Sequence, residues 1–275
     1  MRKSIYLFAA ILVLAAVGCN KDNVTQSDVQ YVSELKIGFE NDTRVGFSHD
    51  SNGLKFEFEN GEAIEVWEDL NESGSRKIFV YDSSAEAFKP QSDSDKLEVG
   101  KKYFAVTSSS WYYISVEDGK SVVPMQLKGG TGISKIPMIT DVFTATAEST
   151  MATMHHIVGV VEIPVKTTAN DVKMKQVGIR STTACRGDFN ISPIAPYAYS
   201  DTYGYFDNFN QTASSTPINL STTVQSMFIP VWPNTYPDVK IVYTLDGGSE
   251  KEITTGRSLT VERGKITKIS EITLE

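Results

Sequence analysis

The chain has 275 residues, 40% of them hydrophobic and 22% charged, with a formal net charge of −8 at pH 7. That acidic surplus argues against nucleic acid as a partner and against charge-driven binding to an anionic membrane. The only cysteines are Cys19 and Cys185, so no disulfide framework is available and stability has to come from a large apolar core.

In chain order, the first element is an export signal. Arg2 and Lys3 precede an apolar run over residues 5–17, followed by the small residue Gly18. At about 13 residues the run is too short to cross a bilayer, which takes ~20. Ala15-Ala16-Val17-Gly18-Cys19 resembles the lipobox of bacterial lipoproteins, with Ala16 where Leu is commoner. The resemblance implies cleavage before Cys19 and a diacylglycerol on that residue. Residues 1–18 then form the signal peptide, and the mature chain hangs from a membrane by acyl chains, each buried CH₂ contributing ~0.8 kcal/mol. Residues 19–28 are polar and aperiodic and read as a flexible tether.

Beyond the tether the dominant period is two. A first candidate strand covers residues 34–39, and clean alternation follows at residues 55–59, 64–67, 77–81, 103–106 and 239–243. Such alternation sends one set of side chains into a core and the other into water. Turn signals punctuate the runs: Ser51-Asn52-Gly53, Asn60-Gly61, Glu72-Ser73-Gly74, Asp118-Gly119 and Asp246-Gly247-Gly248. The last of these, between Tyr243 and Ile253, predicts a hairpin. The pattern predicts an all-β chain of two tandem antiparallel β-sandwich domains.

Residues 145–156, with Ala, Met and Glu, read as a short helix. The β-branched run at residues 157–165 reads as a buried strand. The pattern resets between Thr140 and Met154, which places an N-terminal domain at residues 29–147 and a C-terminal domain at 148–275. Residues 193–217 carry Tyr197, Tyr199, Tyr203, Tyr205, Phe206 and Phe209 among Asp, Asn and Ser, and read as a long loop or pair of irregular hairpins. Two final strands close the chain. Ile272-Thr273-Leu274 among them is compatible with a donated strand or with completion of the second sandwich.

Catalytic and metal signatures are missing from the sequence. Gly129-Gly130-Thr131-Gly132 is not followed by Lys and Ser/Thr, and there is no nucleophile elbow or zinc-protease motif. Asp93, Asp95 and Glu98 are spaced like a loose calcium loop without its Gly and twelfth-position Glu. His155 and His156 are adjacent, so on a strand they point to opposite faces, one inward and one outward, and do not share a metal. The expectation is a protein that is not an enzyme and holds no cofactor or metal. Arg186, Gly187 and Asp188 spell the tripeptide read by integrins, which serves adhesion only from an exposed turn.

Several segments together resemble the fimbrillin-like (major and minor fimbrial subunit) lipoproteins of Bacteroides-type bacteria. They are the lipobox; Thr43-Arg44-Val45-Gly46-Phe47 followed by Gly53-Leu54-Lys55-Phe56; Gly61-Glu62-Ala63-Ile64-Glu65-Val66-Trp67; the run from Met154 through His155 and His156 to Ile163; and Gly264-Lys265-Ile266-Thr267-Lys268-Ile269, with Thr267 where an aromatic is usual. The resemblance implies transthyretin-like sandwiches, a lipid-anchored outer-membrane precursor exposed at the surface, and proteolysis after the position that Arg44 occupies. Loss of the N-terminal strand then opens a groove that a C-terminal strand of the next subunit fills. The implied partners are fimbrial subunits of the same type and a host or bacterial surface receptor, with the membrane reached only through the lipid. The alternative is a non-polymerising surface lipoprotein that binds glycans through the aromatic loop at residues 197–209, with Tyr197, Tyr199, Tyr203 and Tyr205 as stacking platforms.

Overall fold

The computed structural model describes residues 29–39, 45–46, 54–55, 58–107, 114–128, 136–147, 150–195, 197–207, 209–212 and 216–275. Among them it holds β-strands and one 3₁₀ turn, Asp93–Asp95, and no α-helix; the all-β class is the one the alternating sequence predicts.

The first sheet runs in the order Met138–Thr140, Thr150–His156, Leu35–Phe39, Ala87–Pro90, Lys77–Asp82, Ala63–Glu68, Lys102–Val106 and Phe143–Thr144. Ile139 also pairs with Val106, which brings the two sides of the sheet together into a barrel-like wall. Closure removes the exposed edges that an open sheet leaves to the solvent. Pairing is antiparallel around this wall except at one seam. There Leu35–Phe39 lies parallel to Thr150–His156 over five residue pairs, from Leu35 opposite Thr150 to Phe39 opposite Met154. Parallel neighbours need a long connection, and here more than a hundred residues lie between them.

Alternation along these strands divides side chains between two cores. In Lys102–Val106, Tyr103 and Ala105 face the barrel interior with Leu35, Ile64, Val66, Phe79, Phe88 and Leu97. Phe104 and Val106 face outward into a second buried cluster with Trp67, Val123, Met125, Ile157, Val160, Phe189 and Ile191. Burial on both faces explains why the sequence here is nearly continuous in apolar residues. The second cluster is roofed by a four-stranded sheet, in the order Ser115–Glu117, Lys120–Leu127, Arg186–Ile191 and Ala198–Asp207. A third cluster lies between the remaining large sheets. One is built on Gly159–Thr167 with Gln225–Val231, Ile266–Lys268 and Ile272–Leu274; the other on Lys173–Arg180 with Lys240–Leu245 and Glu250–Thr254. Asp246-Gly247-Gly248 does turn the hairpin between Lys240–Leu245 and Glu250–Thr254, with Gly247 at φ 72°.

Strand pairing and the shared cluster both run across residue 147. Thr150–His156 belongs to the first sheet, and Lys120–Leu127 pairs with Arg186–Ile191 over five positions. The helix expected at residues 145–156 is instead the strand Thr150–His156. Helix-favouring residues lose here to pairing on both edges and to burial of Thr150, Ala152, Met154, His155 and His156. Pairing within these largely antiparallel sheets turns parallel at the seam above and again at Gly159–Thr167, which takes Ile266–Lys268 and Ile272–Leu274 in parallel. Alternation reports which face is buried and carries no information on strand direction.

Close backbone approach makes a sharp test of this packing. A Cβ added at Gly178 would overlap the Asn210 carbonyl oxygen and come within 2.8 Å of the Phe209 ring, whereas one at Gly38 would meet nothing within 4 Å. Urea denaturation of Gly178→Ala should show a loss of about 1–3 kcal/mol. The Gly38→Ala variant should stay within ~0.5 kcal/mol of the parent protein.

Candidate functional site

The site is the seat of the strand Leu35–Phe39. One edge of this strand pairs with Thr150–His156; the other meets Ala87–Pro90 where Leu35 lies opposite Phe88. Just before it, Tyr31–Val32 pairs with Leu97–Glu98. The segment is anchored by side chains as well as backbone. Val32 and Leu35 are buried in the barrel core, and Ile37 and Phe39 pack against it half-buried. Phe39 stacks on Phe58 at 5.2 Å, and Phe58 meets Phe88 edge-on at 4.7 Å. Removing this segment would uncover one edge of Thr150–His156 and an apolar trough in the barrel core, whose cluster includes Phe88, Leu97, Met138 and Met154. The trough has the form of an acceptor for an extended strand carrying apolar residues at alternate positions.

The other end of the molecule is also closed by terminal strands in parallel. Ile272–Leu274 pairs with Gly159–Thr167, Leu274 is fully buried, and the Thr167 hydroxyl donates to the Leu274 carbonyl at 2.8 Å. In this structure the C-terminal strand therefore completes its own sheet.

The two halves meet around Asp141. Its carboxylate receives the Tyr197 hydroxyl at 2.8 Å and lies 2.9 Å from His155 Nε2. His155 and Tyr197 stack at 4.6 Å, the Arg263 guanidinium lies 4.7 Å over the Tyr197 ring, and Arg263 also donates to the His156 carbonyl at 3.1 Å. The expectation that one of the paired histidines faces water fails, since His155 is 5% and His156 1% exposed. The outward face of their strand is covered by residues from the second half, which alternation within one strand does not reveal.

The remaining sequence candidates fall as follows. Cys19 and Arg44 lie outside the described residues. Arg186, Gly187 and Asp188 are not at an exposed turn but begin the interior strand Arg186–Ile191, between Lys120–Leu127 and Ala198–Asp207. Arg186 is ion-paired with Asp207, and Asp188, 6% exposed, accepts a hydrogen bond from Gln126 Nε2 at 2.6 Å. That geometry holds both charged groups inside the sheet. Of the aromatic loop, the segment expected to be irregular contains the ten-residue strand Ala198–Asp207, paired with Arg186–Ile191. Tyr197 is 5% exposed and committed to the Asp141 cluster, so it offers no open stacking face. The side chains of Tyr199, Tyr203 and Tyr205 lie outside the described residues. Among the described residues no group of three His, Cys, Asp or Glu is placed to hold a metal.

No family model matches the chain, and no curated protein does. Solved structures do. A proposed cell adhesion protein from Bacteroides ovatus superposes with a TM-score of 0.58 at 10% identity, over 88% of this chain and 92% of that one. Similar proposed cell adhesion proteins from Bacteroides uniformis and Bacteroides fragilis superpose with TM-scores of 0.51 and 0.50, at 13% and 12% identity. The first of these two likenesses covers 90% of this chain and 94% of its counterpart, the second 88% and 93%. The fold is shared with these Bacteroides proteins. At such identities the likeness speaks for architecture alone.

Burial dominates the titration behaviour of the third cluster. It pushes the Cys185 thiol from an ordinary 9.0 up to about 12, with the neighbouring Asp207 charge adding to the effect. Burial also raises the Tyr236 hydroxyl, which donates to the Trp232 carbonyl. Both groups stay neutral in the folded protein to a pH at which the unfolded chain already ionises. Stability is therefore unaffected by them below pH 9 and falls as pH rises from about 9 toward 12. Alkaline unfolding curves should show that decline, and Cys185 should resist thiol reagents at pH 8 until the protein is unfolded. Asp141→Ala, which removes the acceptor shared by His155 and Tyr197, should cost about 1–3 kcal/mol in thermal or urea unfolding.

Proposed function

We propose that this protein is a lipid-anchored surface subunit of an adhesive fimbria, assembled by exchange of a β-strand. Its role on this reading is structural and not catalytic. The observation that carries the proposal is the position of Leu35–Phe39: an interior strand, parallel to its neighbour, buried through Leu35, and lying ahead of Arg44 in the chain. Proteolysis after Arg44 would release that strand, and a partner's strand of the same alternating character would take its place. The incoming strand restores the backbone hydrogen bonds of Thr150–His156 and refills the trough beside Phe88 and Leu97. Every main-chain group and apolar side chain at the junction is then satisfied again, so such polymers dissociate with difficulty.

The fold shared with proposed cell adhesion proteins of three Bacteroides species supports a cell-surface, adhesive setting. The Cys19 lipobox supports an outer-membrane anchor, since acyl chains at ~0.8 kcal/mol per buried CH₂ hold a soluble fold firmly at a bilayer. Fellow fimbrial subunits are the natural partners for strand exchange.

Limited cleavage with an arginine-specific protease tests the assembly step. The trimmed parent protein should convert from monomer to a ladder of oligomers that survive unheated detergent electrophoresis. The Arg44→Ala variant should stay monomeric under the same treatment. A parent protein that is cut at Arg44 and stays monomeric would count against strand exchange.

A further inference from the structure

A polar cleft of about 410 Å³ opens beside the start of the first strand, within the usual size range of small-ligand sites. Its walls come from four separate stretches of chain, around Tyr31, residues 68–77, residues 93–98, and Lys101 with Tyr103. Three lysines and three carboxylates line it, and the charges are matched inside the cleft. Lys96 pairs with Asp93 at 2.7 Å, and Lys101 with Glu98 at 3.1 Å and Glu68 at 3.4 Å. Lys77 Nζ is held by the Ser94 carbonyl at 2.8 Å. With no net formal charge and its cations already engaged, the cleft has no field that favours an anion or a cation over water.

Neutral polar groups remain for a ligand. The Asn71 amide and the hydroxyls of Tyr31 and Ser75 line the cleft and make no side-chain hydrogen bond within the described structure. Tyr31 is 55% exposed although the next residue, Val32, is 4% exposed and paired into the sheet, so the ring is held at the rim by a fixed backbone. The loop bearing Asn71 is likewise held in place. Leu70 takes φ 57°, a conformation that costs a bulky residue energy. It is secured by its own N–H to Ser121 Oγ at 2.7 Å, by Gly74 N–H to the Asn71 carbonyl at 2.9 Å, and by Val116 N–H to Glu72 Oε1 at 2.7 Å.

We infer that this cleft binds a neutral saccharide, with the Tyr31 ring against the apolar C–H face of one sugar and the Asn71 and Ser75 side chains on its hydroxyls. A sugar ring pairs an apolar face with neutral donors and acceptors around its rim. The cleft offers the complementary set: an exposed aromatic with a polar tip, an amide and a hydroxyl. The site is distinct from the aromatic loop after residue 197, and its link to trimming rests on the assembly reading above. Because Tyr31 precedes Arg44, it is present in the untrimmed subunit and absent from a trimmed one. Glycan capture would thus belong to copies that keep their first strand.

The test uses the untrimmed monomer, so failure of strand exchange does not affect it. Lactose, maltotriose and mannotriose serve as neutral probes, with sialyllactose and a sulfated disaccharide as charged ones, read by saturation-transfer NMR and calorimetry. At least one neutral probe should bind saturably with Kd on the order of 1 mM or tighter. Tyr31→Ala and Asn71→Ala should each weaken it about five- to tenfold, while Tyr31→Phe, which keeps the ring, should lose no more than about threefold. Matching unfolding temperatures for the three variants show that the fold is intact. Binding that survives Tyr31→Ala, a preference for the charged sugars, or no saturable binding of a neutral probe at ~10 mM overturns the inference.

Discussion

Five parallel residue pairs between Leu35–Phe39 and Thr150–His156 close the first sheet, and the rest of the architecture depends on that seam. Without it the barrel wall opens between Thr150–His156 and Ala87–Pro90, and a row of main-chain donors and acceptors loses its partners. Buried backbone groups are costly to leave unpaired, so the opened state demands a substitute strand. Local stability and the closure of the wall are two aspects of one feature. The strand is essential to the barrel, yet among the described residues only Tyr31–Val32 is paired ahead of it.

The middle apolar cluster makes the structure cohere beyond that wall. Trp67, Phe104 and Val106 come from the barrel's outer face, Val123 and Met125 from the roof sheet, and Val158 and Val160 from the start of the second half. Phe189 and Trp232, stacked at 3.9 Å, continue the same packing. Asp141, His155, Tyr197 and Arg263 add a polar cluster at the edge of this layer, again drawn from both halves. Shared burial of this kind gives the barrel a second packed face, independent of the seam.

Much of the fold is legible from spacing alone. The alternation at Ala63–Glu68, Lys77–Asp82 and Lys240–Leu245 marks real strands, and Asp246-Gly247-Gly248 marks a real hairpin. Residues 145–156 mislead because helix propensity is a local preference of a fraction of a kcal/mol per residue, while two paired edges and a buried face act on the whole strand. The tripeptide at Arg186 misleads for a related reason. Three residue names carry no burial information, and Asp188 is tied to Gln126 inside the sheet. The saccharide cleft had no sequence signal at all. Tyr31, Asn71 and Ser75 are ordinary surface residue types, and only folding brings the loop of Asn71 and Ser75 beside the distant Tyr31.

The amino-acid sequence by itself determined that this is an all-β protein, where many of its strands and turns fall, and that no catalytic signature is written along it. These follow from short-range rules: side chains alternate along a strand, glycine and asparagine turn a chain, and catalytic motifs have fixed spacing. Only the tertiary structure decided that the first strand is an interior, parallel one, that both paired histidines are buried, that the Arg186 tripeptide is locked in a sheet, and that charges cancel around an exposed tyrosine. Each of those depends on which distant segments pack together, and periodicity within one strand carries no information about its neighbours.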